Sequence, residues 1–86
     1  MPVVSRFFGI VIVFYWRDHA PPHFHAKYGG EEAVIEIKSG KIIKGSLSIR
    51  ASKLVQEWRK LHLRDLLEDW DLARIGKPLR DISPLE

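Results

Sequence analysis

The spacing of apolar residues changes near residue 46, and few architectures accommodate that change. Before it, apolar side chains alternate with polar ones or run in short blocks closed by glycine and serine; after it they recur every 3.6 residues. Phe7 to Trp16 reads as one central strand, apolar on both faces apart from Gly9. His23 to Tyr28 is a second strand, closed by Gly29-Gly30, and Glu32 to Lys38 a third, with Ala33, Ile35 and Ile37 facing inward. Ser39-Gly40 supplies a turn into a short fourth strand, Lys41 to Lys44. From Leu47, the set Leu47, Ala51, Leu54, Val55, Trp58, Leu61 and His62 forms one stripe of a helix with Ser46 or Ser48 as N-cap. Arg50, Lys53, Arg59 and Lys60 form its solvated face. A second helix from about Arg64 to Ile75 buries Leu66, Leu67, Trp70 and Ala73, and Gly76 terminates it before Lys77-Pro78. The expected fold is α+β: an antiparallel four-stranded β-meander (1–46) followed by two α-helices (47–76) packed on one face. A loosely docked C-terminal tail (77–86) completes a single domain, 1–86.

The 86 residues are too few for two cores. The absence of cysteine excludes a disulfide framework, a thiolate nucleophile and a cysteine-based zinc site, and fits a reducing compartment. No basic segment with an apolar stretch and cleavage site opens the chain, and the run from Phe7 to Trp16 is about half of what a membrane span needs. A cytoplasmic protein with no membrane association is expected. A formal net charge of +3 permits an anionic partner without requiring one.

Three of the four histidines fall in Asp18-His19-Ala20-Pro21-Pro22-His23-Phe24-His25-Ala26-Lys27-Tyr28. The prolines make a stiff corner. On a strand beyond it, His23, His25 and Lys27 share one face, while Phe24, Ala26 and Tyr28 share the other. Three readings stay open. His23 and His25, with His19 or Asp18 as a third ligand across the corner, can hold a divalent transition metal, although no Glu or Asp stands at a diagnostic spacing. Alternatively, His19, His23, His25 and Lys27 can run metal-free acid-base catalysis on RNA, with Arg6, Arg17 and Tyr28 contacting substrate and Tyr15 as an alternative proton carrier. In the third reading the imidazoles serve only the architecture. Arg6 is the natural member of an ion pair with Asp18 or Glu36. Trp58 and Trp70 belong to the core, Trp16 can stack on a base or anchor an interface, and His62 caps the first helix.

Ser5-Arg6-Phe7-Phe8-Gly9-Ile10-Val11-Ile12, the Asp18–His25 block, Tyr28-Gly29-Gly30, Leu67-Glu68-Asp69-Trp70-Asp71-Leu72-Ala73-Arg74 and Gly76-Lys77-Pro78 together resemble a family of small bacterial proteins, domain of unknown function family 4160. The resemblance spans nearly the whole chain. It implies a partner, a second small protein encoded by an adjacent gene, in an arrangement similar to toxin-antitoxin pairs, and it supplies no catalytic residues. The functional expectation is a toxin-like component of a two-protein module acting on RNA through the histidine cluster, as a ribonuclease. A non-enzymatic protein-binding module and a small metal-binding regulator are the alternatives.

Overall fold

The computed structural model describes residues 2–86. Its first half holds β1 (Val3–Phe7), β2 (Ile10–Val13), β3 (His23–Tyr28), β4 (Glu31–Glu36) and β5 (Ile42–Gly45). They form one antiparallel sheet in the order β1-β2-β3-β4-β5, so each strand pairs only with its sequence neighbours. The meander has five strands where four were expected, because the Phe7–Trp16 run is not one strand. It folds back at Phe8-Gly9, with Phe7 paired to Ile10 across a two-residue turn. Both turn residues have positive φ, 49° at Phe8 and 81° at Gly9, as the tightest hairpins require. Glycine adopts this conformation freely and phenylalanine rarely does, so the turn has only half of its usual sequence signature. Tyr15 and Trp16 then fall outside the sheet.

The alternation of side chains fixes what each sheet face meets. Ile10, Ile12, Phe24, Ala26, Ala33 and Ile35 are buried on one face, where they join Trp58, Val55, Leu66 and Trp70 from the helices in one core cluster. Val11, Val13, His25, Lys27, Glu32, Val34 and Lys44 belong to the other face by the same register. The helices are α1 (Ile49–Leu61) and α2 (Leu63–Arg74), joined at His62, which ends one and starts the next. Ser48 Oγ accepts the Ala51 N–H and caps α1. Past the end of α2, the Lys77 N–H reaches the Leu72 carbonyl and the Gly76 N–H the Ala73 carbonyl, with φ 73° at Gly76: the glycine stop expected at that position.

Two regions differ from expectation. Arg59, assigned to the solvated face, is buried; its guanidinium donates to the Ile37 and Lys38 carbonyls and to Gln56 Oε1, tying the β4–β5 connection to α1. Its fork satisfies three oxygens that a lysine could not reach together. The tail is also firmly held. Ile82 and Leu85 are buried, the Ile82 N–H donates to the Val4 carbonyl at the β1 edge, and Trp58 Nε1 donates to the Ser83 carbonyl. The Arg80 N–H donates to Asp69 Oδ1. Apolar residues at 79, 82 and 85 let this segment cover β1, whose open edge would otherwise expose unpaired backbone groups. No helix among the described residues is long and apolar enough to cross a membrane.

Candidate metal centre

Between β2 and β3 the chain leaves the sheet for residues 14–22 and returns at His23. This segment is fixed at several points. Phe14 is buried, the Arg17 N–H donates to the Ala73 carbonyl near the end of α2, and the Ile37 N–H holds the Pro22 carbonyl; the Ala20–Pro21 peptide is cis. Arg17 has φ 55°, and its guanidinium packs against Gly76, where a cation opposes the negative end of the helix dipole. The segment thereby carries Asp18 back over the start of β3.

Three ligand atoms converge there. Asp18 Oδ2 lies 2.8 Å from His23 Nε2 and 3.7 Å from His25 Nε2, and one ligand atom from each of the three residues falls within 4.8 Å of the others. What stands behind each ring decides the chemistry. His23 Nδ1 lies 2.7 Å from the Pro21 carbonyl, which can only accept, so Nδ1 carries a proton. His25 Nδ1 lies 3.1 Å from Glu32 Oε2 and donates to that carboxylate. In the neutral tautomers both Nε2 lone pairs then face a carboxylate oxygen, three acceptors with a positive charge required among them. A single proton shared by His23 and Asp18 meets part of that requirement and leaves His25 Nε2, a buried atom without a hydrogen bond, unsatisfied. A divalent ion answers all three. At metal–ligand distances of about 2.0–2.2 Å, ligand atoms stand roughly 3–3.5 Å apart, so small side-chain adjustments suffice.

The surroundings hold this geometry. The His23 side chain is 9% exposed and its ring packs 5.0 Å from that of Trp70; the His25 side chain is 14% exposed and meets the Tyr15 ring edge-on at 4.5 Å. Lys27 Nζ lies 6.0 Å from the centre of the same tyrosine ring. Burial would raise the Asp18 carboxyl, but the His19 N–H, the His23 hydrogen bond and the His23 and His19 charges outweigh it and hold Asp18 below its ordinary value. An ionised carboxylate is the form a metal needs. Two imidazoles and one carboxylate, with carbonyl and carboxylate groups orienting the rings, suit zinc or ferrous iron and leave coordination positions for water or substrate.

The structure separates the residues that the sequence grouped. His23, His25 and Asp18 come together. His19 stands beside them but outward: its side chain is 95% exposed, with Nδ1 3.4 Å from the other Asp18 oxygen, Oδ1. Lys27 shares the His25 face, one register step further along β3 and opposite Glu32. Arg6 is exposed on β1, opposite Val11, with no ion pair to Asp18 or Glu36 among the described residues. Arg17 is occupied at the α2 terminus, and Tyr28 packs against the core on the opposite face, in contact range of Gly9. Glu32 was missed as a site residue. Its signal lay in the hairpin register: Gly29-Gly30 pairs Tyr28 with Glu31 and Lys27 with Glu32, which puts Glu32 diagonal to His25.

No curated protein and no solved structure matches the chain. The family model for a domain of unknown function, DUF4160, matches residues 9–71, which contain all three converging ligands as well as Glu32 and Trp70. The chain belongs to the DUF4160 family.

Proposed function

We propose that this protein binds one divalent transition-metal ion through Asp18 Oδ2, His23 Nε2 and His25 Nε2, and that the ion is its working centre. The supporting observation is that both histidines have Nδ1 committed to an acceptor while both Nε2 atoms turn toward one carboxylate oxygen. An ion with three protein ligands retains room for water, which it acidifies, or for a substrate oxygen, which it polarises. RNA cleavage by two free imidazoles fits less well. His23 has both nitrogens engaged and little exposure, so it cannot exchange protons with a bulky substrate without breaking its bonds. The proposed setting remains a two-protein module directed at RNA, with cleavage now assigned to metal-assisted chemistry.

The purified protein should contain close to one equivalent of zinc or iron, and the chelated protein should take up one equivalent of added zinc. Asp18→Asn and His25→Ala should each weaken that uptake at least a hundredfold while the circular dichroism spectrum is retained. Zinc bound equally well by both variants would remove the centre from this site. Growth arrest on expression without the neighbouring gene, relieved by Asp18→Asn, would connect the ion to toxicity.

A further inference from the structure

The two edges of the sheet differ. The tail covers β1 through the Ile82 N–H and the Val4 carbonyl, whereas β5 ends the strand order, and among the described residues no backbone bond from outside the sheet reaches Ile42–Gly45. Lys41 to Ser46 are all exposed, Ile42 and Ile43 included. An edge strand leaves the N–H and C=O groups of one side open, a template for one more strand. The register sorts its side chains. Ile42 pairs with Ile35, on the helix face, and Lys44 with Val34, on the other; Ile43 is the extra residue of a bulge between them. Lys41 precedes Ile42, so alternation together with the bulge sets Lys41 and Lys44 on the same face. On the helix side a groove of about 480 Å³ runs along α1, lined by Ser52, Lys53, Gln56, Glu57, Lys60 and Leu61. The Gln56 amide donates to the Gly40 carbonyl, so the groove abuts the turn that leads into β5.

We infer that β5 is the docking edge for an extended acidic segment of a partner protein, added as a further strand whose carboxylates face Lys41 and Lys44 and whose alternate apolar side chains lie beside Ile42 and the α1 groove. Such docking is independent of the metal centre. Charge selects this occupant. Lys38, Lys41 and Lys44 stand in a stretch, 38–45, that has no carboxylate, and the groove adds Lys53 and Lys60. Glu57 and, on β4, Glu36 offset only part of that charge; Glu31 accepts the Ser48 N–H, and Glu32 faces His25. A second copy is disfavoured, because antiparallel pairing of two β5 strands would set Lys41 and Lys44 of one against those of the other. Nucleic acid has phosphates for the lysines but nothing that reads an amide ladder beside exposed isoleucines, whereas a strand of alternating acidic and apolar residues meets the ladder, the lysines and Ile42 together. The bulge keeps the ladder short, so side-chain contacts must carry the specificity.

The test uses the full chain and three short labelled peptides followed by fluorescence anisotropy: one alternating glutamate and valine, one alternating lysine and valine, and the first with all its backbone amides N-methylated, which keeps the side chains and removes the donors. The glutamate-valine peptide should bind, slow amide hydrogen exchange within Ile42–Gly45 and lose affinity as salt rises, with the other two at least about tenfold weaker. Lys44→Glu should weaken it about tenfold with melting unchanged, and Lys77→Glu, beyond α2, should leave it unaltered. Absence of binding, equal binding of the three peptides, protection outside β5, or unaltered affinity in Lys44→Glu would each overturn the docking edge. A dimer whose β5 amides are protected without peptide would give the edge to a second copy, and an oligoribonucleotide that displaces the peptide and binds more tightly through Lys44 would give it to nucleic acid; either result would overturn the partner strand.

Discussion

Asp18 and Asp69 are both sequestered carboxylates, and their surroundings differ in kind. Burial would raise Asp18, but the His19 N–H, the His23 hydrogen bond and the His23 and His19 charges together hold it below its ordinary value. Asp69, only 1% exposed, is pushed by burial up to about 6; the Arg80 N–H and charge resist, while Asp65 and Glu68 add repulsion. Its Oδ2 has no hydrogen-bond partner among the described residues. The Asp18 region spends its polar groups on gathering positive charge. The Asp69 region uses a reluctant carboxylate to hold the tail, and no second ligand set converges on it among the described residues. Burial of an acid therefore does not mark a functional site; the identity of the groups turned toward it does.

Trp70 touches both regions, being next to Asp69 in α2 and against the His23 ring, so its loss should have the largest effect. Trp70→Ala should cost about 3–5 kcal/mol in thermal or denaturant unfolding and weaken metal uptake as well. Unchanged metal affinity in a destabilised variant would show that His23 is held without the ring. Glu32→Gln should sharpen the comparison by lowering metal affinity about 10–100-fold, read by chelator competition, with little change in melting. Equal affinities would mean that Glu32 does not orient His25.

Asp69→Asn tests the other region. A folded value of about 6 against an ordinary 3.8 means that the native state holds the Asp69 proton more tightly than the unfolded chain does. The group costs nothing below the unfolded value, its destabilisation grows between about pH 4 and pH 6, and it is complete above that, on the order of 3 kcal/mol. The wild type minus Asp69→Asn stability difference should therefore fall as pH rises through that window, with chelated protein keeping the histidine ligands out of the comparison. A flat difference would show Asp69 to be ionised at no cost. Smallest of all, His19→Ala should change stability by no more than about 0.5 kcal/mol and metal affinity by less than threefold, since its ring projects into solvent. A larger loss would make His19 a fourth ligand.

Periodicity carried much of this molecule. Alternation along His23–Tyr28 separated His25 and Lys27 from Phe24 and Ala26, and the 3.6-residue stripe located Trp58 and Trp70 in the core. It failed where both strand faces are apolar, because Phe7 to Trp16 has no polar residue to mark the fold-back and Phe8 is an uncommon turn residue. Asp18 was readable only as one of two candidates, since the path of residues 14–22 depends on bonds to Ala73 and Ile37, both distant in sequence. Arg59 and the tail share that cause. What buries them is a carbonyl or strand edge contributed by another part of the chain, to which local spacing is blind.

The neighbour-only order of the strands also sets a sequence of events at the ribosome. Each hairpin can close as soon as its second strand emerges, since none waits for a remote segment, and such local closure favours fast formation. Yet the apolar face holding Ile12, Phe24 and Ile35 emerges entirely before Trp58 and Trp70 exist to cover it. The nascent sheet is thus briefly adhesive, and synthesis of the last third of the chain determines how long that interval lasts.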